Sequence, residues 1–180
     1  NPALASVEET GANSASFVIE PLQAGYGNTL GNSLRRVLLS SVKGGAIVAF
    51  RIEGASHEFT TVAGIKEDVV DIMLNLKNVR VKVATDEPVE VRIEKKGAGA
   101  ITAADIKTTA DVEVINPEQI IATIDDPKKA VVFDLVIESG RGYQTIEDSS
   151  VKRLHSDMIA LDAMFSPVLR VRYKVDSTRV

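Results

Sequence analysis

The run Gly25–Val42, GYGNTLGNSLRRVLLSSV, constrains the chain more than any other stretch, because it reads as a helix with two unlike faces. Asn28 or Thr29 is the expected start, since either side chain accepts a hydrogen bond from an otherwise unpaired backbone N–H. Leu30, Leu34, Val37 and Leu38 recur at i, i+4, i+7 and i+8 and stack into one apolar stripe, continued by the small Ser41. On the opposite side lies Leu39, flanked by Arg35 and Arg36. Gly44-Gly45 is the expected stop.

A helix with one apolar stripe requires one neighbour, and this one carries a second surface as well. Two readings of it fit the residues. Arg35 and Arg36 are solvated beside an ordinary exposed leucine, or the three form a protein contact, where arginine's planar fork and apolar stem are favoured.

The remaining chain alternates between periods of two and 3.6. Residues up to Ser14 are small and polar and read as frayed, and Ala15–Leu22 reads as a strand. Ala46–Glu53 is a β-branched strand closed by Gly54. Gly64–Leu76 predicts a second amphipathic helix, with Ile65, Val69, Ile72, Met73 and Leu76 inward and Lys66, Glu67, Asp68 and Asp71 on a solvated acidic back. Val79, Val81 and Val83, then Val89, Val91 and Ile93, alternate with charged residues across Asp86-Glu87-Pro88, which predicts a hairpin with one wet face. Short strand pieces are expected near 101–106, 112–115 and 120–124, then a long apolar strand over Ala130–Glu138. Gly140-Arg141-Gly142-Tyr143 opens a polar loop, and Leu169–Val175 alternates as a final strand.

At 180 residues with 44% hydrophobic content, the chain can bury a substantial core, and with 4% aromatics that core is aliphatic. The net charge of −4 argues against a chain devoted to gripping phosphate backbones. No apolar run approaches membrane-spanning length, and the absence of cysteine suits a reducing cytoplasm. Gly25–Gly31 raises the question of a phosphate site at a helix start, which would make this a small α+β enzyme binding a phosphate or nucleotide. The run lacks the Gly-Lys-Ser/Thr ending of a P-loop and the dinucleotide spacing, so turn geometry and close packing are preferred. His57 and His155 have no further ligands at metal-binding spacing, Asp125-Asp126 precedes a proline as turn chemistry, and no serine has a base nearby in sequence. Neither a catalytic centre, a cofactor nor a metal is expected on this chain.

Several stretches together resemble one family. Glu20-Pro21-Leu22 and Gly25–Ser41 are similar to the first helix of bacterial RNA polymerase alpha subunits. His57-Glu58-Phe59 through Asn75-Leu76-Lys77, Thr102–Ile106, Gly140–Tyr143 and Asp162–Val168 resemble the same family in the same order. The resemblance implies a discontinuous α+β fold: a dimerisation and assembly unit of residues 1–43 and 167–180, with a mostly β insert over 44–166 carrying one amphipathic helix. It implies a non-catalytic scaffold that forms a homodimer and recruits the beta and beta-prime subunits of a cytoplasmic enzyme, without membrane attachment or direct DNA binding by this part. Carried over position by position, Arg35, Arg36, Leu39, Asp71, Lys77 and Leu161 are the expected large-subunit contacts, and Leu30, Leu34, Val37 and Leu38 the dimer interface. The chain begins at Asn1 and ends at Val180 after a strand-like run, so it reads as a piece of a longer protein. The missing part is expected to hold a later helix that strengthens the dimer, then a linker and a DNA-binding domain.

Overall fold

The glycine pair at 44 and 45 opens the central strand of a sheet rather than ending a helix. In the computed structural model, which describes residues 3–146 and 157–177, α1 (Tyr26–Ser41) finishes before them and β3 (Lys43–Ile52) begins at once. Both glycines are there because the backbone is approached closely. A Cβ on Gly44 would lie 1.9 Å from the carbonyl oxygen of Phe165, and one on Gly45 would lie 2.5 Å from a Val83 methyl. Gly140, opposite Gly44 in the sheet, has no room either: its Cβ would meet the Phe165 ring at 2.8 Å.

The chain divides into two compact units, Asn1–Leu39 with Arg170–Val180, and Ser40–Leu169. In the first, β1 (Ala3–Gly11) and β2 (Ser14–Glu20) form an antiparallel hairpin. The expectation of a frayed start is therefore corrected, since cross-strand pairing supplies what the small, polar composition of 3–11 does not. Helix α1 starts at Tyr26, earlier than Asn28 or Thr29, with the Tyr26 N–H donating to Gln23 O at 3.0 Å. Residues 169–175 alternate in sequence yet form no strand, because they join no ladder. Instead Tyr173 and Val175 lie against the glycine face of α1, where a Cβ on Gly31 or Gly27 would meet them at 2.4 and 2.8 Å.

The second unit contains β3, α2 (Val69–Lys77), β4 (Val81–Val83), β5 (Val89–Lys96) and β6 (Gly99–Thr102). After a 3-10 turn at Ala103–Asp105 come β7 (Ile106–Lys107), β8 (Val112–Val114), β9 (Ile120–Ile124) and β10 (Ala130–Arg141). The unit closes with β11 (Tyr143–Gln144), β12 (Ile159–Ala160) and β13 (Ala163–Met164). Among the described residues the main sheet runs β7-β5-β10-β3-β4-β8, with β12 also on β3, while β6 pairs β9 and β11 pairs β13. The expected hairpin across Asp86-Glu87-Pro88 does not form. β4 and β5 are separated by β3 and β10, so the turn carries the chain between distant strands of the sheet. The alternation was right about faces and silent about partners.

The main core lies where α2 and β9 meet one face of the sheet. Val69, Ile72 and Leu76 pack with Ile47, Phe50, Phe133, Leu135, Ile121 and Ile124, all under a tenth exposed. Each such side chain contributes on the order of 1.5–3 kcal/mol. The helix begins at Val69, not Gly64, because Asp68 caps it by accepting from the Asp71 N–H at 2.9 Å. Ile65 enters the core from the preceding turn, bridged to Ile124. A smaller cluster of Ala46, Val48, Ala49, Val136, Ala163 and Phe165 covers part of the other sheet face. Burial on both faces explains the unbroken apolar run of β3. The polar loop expected after Gly140 lies partly at 147–156, outside the described residues; Gly140 and Arg141 end β10.

Candidate functional site

Of the residues of α1, only Gly27 is buried. Leu34, Val37 and Leu38 are 37%, 54% and 38% exposed, and Leu30 is half-buried. On the other face Arg35 and Arg36 are exposed and Leu39 is half-buried. Both faces of the helix are therefore at least partly exposed, and none of the described residues of its unit joins either hydrophobic cluster. The helix has no basic residue in its last turn; Arg141 Nε instead donates to the Ser41 carbonyl at 3.1 Å. A guanidinium at that end satisfies an orphan acceptor and complements the helix dipole.

The remaining expected contact positions fall in the second unit. Asp71 is exposed in the first turn of α2. Lys77, in the last turn, lies 3.9 Å from the Asp162 carboxylate, whose other oxygen accepts from the Ile146 N–H at 2.9 Å. Leu161 is 1% exposed, and its N–H donates to Val48 O at 2.9 Å as the pairing of β12 continues along β3. Its side chain belongs to the main core, so it presents nothing to a partner. The back of α2 also differs from expectation. Besides Asp71 it carries Val70 and Leu74, 39% and 53% exposed, so it is not simply a solvated acidic surface.

The open part of the sheet's second face carries a row of charges that the sequence reading did not single out. Arg51, Asp134, Arg92 and Lys107 stand opposite one another on β3, β10, β5 and β7. Asp134 accepts from Arg92 Nε at 2.9 Å and from Arg51 Nη2 at 3.0 Å, Arg51 also pairs with Asp157, and Lys107 reaches Glu94 at 2.8 Å. Partial burial pushes the Asp134 carboxyl upward, but the hydrogen bonds from the two arginines prevail and hold it below the ordinary carboxylate range. One charged residue in the middle of the apolar run AVVFDLVI was the available signal. Two shallow depressions flank this row, of about 320 and 460 Å³. Its positive and negative groups already satisfy each other, so the row serves the sheet.

The glycines of 25–31 are accounted for by geometry: Gly25 sits at φ +81°, and Gly27 and Gly31 accommodate Val175 and Tyr173. Nothing supports the phosphate- or nucleotide-binding alternative there. Among the described residues no three His, Asp or Glu side chains gather as a metal site, and no helix is long and apolar enough to cross a membrane.

Comparison with known proteins identifies the family to which these surfaces belong. The family described as RNA polymerase Rpb3/RpoA insert domain matches residues 48–166. A DNA-directed RNA polymerase subunit alpha from Beutenbergia cavernae is 51% identical over 168 residues, covering 93% of this chain and 49% of the relative. Subunits of the same description from Heliobacterium modesticaldum and Desulfitobacterium hafniense are 48% and 47% identical, covering 94% and 99% of this chain and 53% and 57% of theirs. The chain thus spans about half the length of the curated relatives it matches. With that family model matching residues 48–166 and these relatives matching over most of the chain, this chain belongs to the RNA polymerase alpha-subunit family.

Proposed function

We propose that this chain is a non-catalytic scaffold of a cytoplasmic DNA-directed RNA polymerase, dimerising through one face of α1 and recruiting the beta and beta-prime subunits through the other. The observation that carries this reading is the double exposure of α1. Leu34, Val37 and Leu38 on one side and Arg35 and Arg36 on the other are exposed, in a unit with no buried hydrophobic side chain among the described residues. An apolar stripe beside a planar cationic pair is the chemistry of protein contact. The dimerisation and assembly part comprises residues 1–43 and 167–180, and 44–166 is the insert; the nearby division of the chain into compact units supports that boundary.

The test is capture of purified beta and beta-prime by the chain, repeated with Arg36→Ala and Leu39→Asp, with thermal melting to establish that each variant folds. Capture by the parent and loss in at least one folded variant is expected. Failure of the parent to capture either large subunit ends the proposal. Sedimentation separates the dimer claim. The chain should dimerise weakly and a longer version, extended past Val180, tightly; equal tight dimers from both would show that the later segment is unnecessary.

A further inference from the structure

Three turns meet at one corner of the Ser40–Leu169 unit and are hydrogen-bonded to one another. In the turn before α2, Lys66 N–H donates to Thr123 O at 2.9 Å, and Gly64 O accepts from Asp125 N–H at 3.0 Å. In the turn between β9 and β10, Lys129 N–H donates to Asp126 O at 3.0 Å. Lys129 O accepts from Gly97 N–H, in the turn after β5, at 3.0 Å. Lys96 closes β5 opposite Ala130, the residue after Lys129. Gly64 and Gly97 supply the positive φ that two of these turns require, +82° and +93°.

This corner carries lysines that differ from those elsewhere. Lys43, Lys77, Lys95, Lys107 and Lys174 each face a carboxylate: Asp86, Asp162, Asp105, Glu94 and Asp176. Lys66, Lys96, Lys128 and Lys129 meet no carboxylate among the described residues. Lys66, Lys96 and Lys128 are exposed. Lys129 is half-buried because its stem crosses Gly64, where a Cβ would lie 3.1 Å from its Cγ. A lysine placed in this way buries its methylenes and keeps its ammonium in water. The carboxylates of the same turns stay closer to the backbone. Glu67 accepts from Thr123 N–H and Oγ1 at 2.7 and 3.0 Å, and Asp126 accepts from Lys128 N–H at 2.9 Å. Asp125 is exposed on a short side chain. Ammonium groups on long, flexible stems therefore form the outermost layer of charge here.

We infer that the corner formed by Lys66, Lys96, Lys128 and Lys129 is a docking surface for an aspartate- or glutamate-rich segment of a partner protein. The chain has a net charge of −4, so unpaired ammoniums gathered at one place attract a short acidic segment that the surface as a whole repels. The same net charge disfavours a long phosphate backbone, which would also run along the acidic remainder of the chain. Hydrogen bonds between the turns hold the lysine backbones in place, so docking has to order side chains and little else. The surface uses neither α1 nor α2.

The experiment measures binding of the chain to a fluorescent peptide rich in Asp and Glu at low salt. A peptide with Asn and Gln in their place and a DNA duplex serve as comparison probes. The acidic peptide should bind, and added salt should weaken it, because exposed charges are screened. Lys96→Glu combined with Lys128→Glu should weaken binding at least about tenfold. Lys82→Glu combined with Lys174→Glu makes the same change in net charge on exposed lysines elsewhere and should stay within about twofold of the parent. Each of these positions is exposed, so melting temperatures should match the parent's. Absence of binding, equal binding of the Asn/Gln peptide, or equal weakening by the two double variants refutes the surface. Tighter binding of the duplex, lost with Lys96→Glu and Lys128→Glu, assigns the corner to nucleic acid and overturns the acidic-protein partner.

Discussion

The unit formed by Ser40–Leu169 and the unit formed by Asn1–Leu39 with Arg170–Val180 solve the problem of burial in opposite ways. Among the described residues every buried hydrophobic side chain lies between Ala46 and Phe165. The other unit has well-formed secondary structure and, among the described residues, no buried hydrophobic side chain. All of β1 is exposed, Phe17 on β2 is 58% exposed, and α1 buries only a glycine. A lone two-stranded hairpin is marginal in water, and so is an isolated helix of this length. The lesson is that one unit can be stable by itself, whereas the other has hydrophobic surface laid out for something outside it.

The largest expected effect sharpens this contrast. Phe133→Ala, at a fully buried position beside Phe50, should cost about 3–5 kcal/mol in denaturant unfolding. Val37→Ala, 54% exposed, should stay within about 0.5 kcal/mol in the chain alone. A comparable loss from both would break the distinction between the units.

Glycine substitutions give the next largest effect. Gly44→Ala drives a methyl into the Phe165 carbonyl, which is backbone and cannot swing aside, so a loss of about 1–3 kcal/mol is expected. Gly31→Ala meets only the half-exposed Tyr173 ring and gains helix propensity of about 1 kcal/mol, so thermal melting should show little net change. Equal penalties would mean that Tyr173 is held as rigidly as Phe165.

Acid titration probes the charged row on the main sheet of the Ser40–Leu169 unit. Asp134 is held below its unfolded pKa, so its contribution is complete above the ordinary carboxylate range, near pH 4, and is lost as pH falls through the folded value. Asp134→Asn should flatten that part of the stability–pH curve and cost about 1–3 kcal/mol at neutral pH. An unchanged acid limb would show that Arg51 and Arg92 gain nothing from the carboxylate.

The smallest effect concerns hydrogen exchange. Amides of β3 and β10 should be protected to the level of global unfolding, while those of β1 and β2 exchange by local opening. Equal protection would show that the hairpin is held by more than its own pairing.

How far the sequence could be read depended on the range of the interaction. The periodicity of Leu30, Leu34, Val37 and Leu38 and of Val69, Ile72 and Leu76 is local, and both helices form where it lies, with ends shifted by a few residues. Strand faces were likewise legible in Val89, Val91 and Ile93, all buried on β5. Strand partners were not, because nothing in the turn at Asp86-Glu87-Pro88 records that β3 and β10 come to lie between β4 and β5. In the candidate surfaces, the two-faced α1 was readable from spacing, whereas Leu161 was expected at a surface and is buried, and the exposed Val70 and Leu74 were not singled out.

By itself, then, the amino-acid sequence determined the two helices, the apolar faces of strands such as β5 and the family, since each depends on residues close together or on collinear matches along the chain. Only the tertiary structure decided that Leu161 is core, that 169–175 is not a strand, that Gly44 and Gly140 exist for the sake of Phe165, and that Asp134 sits between two arginines. Those outcomes depend on which backbone arrives next to which, and side-chain periodicity carries no information about a neighbour brought from far along the chain.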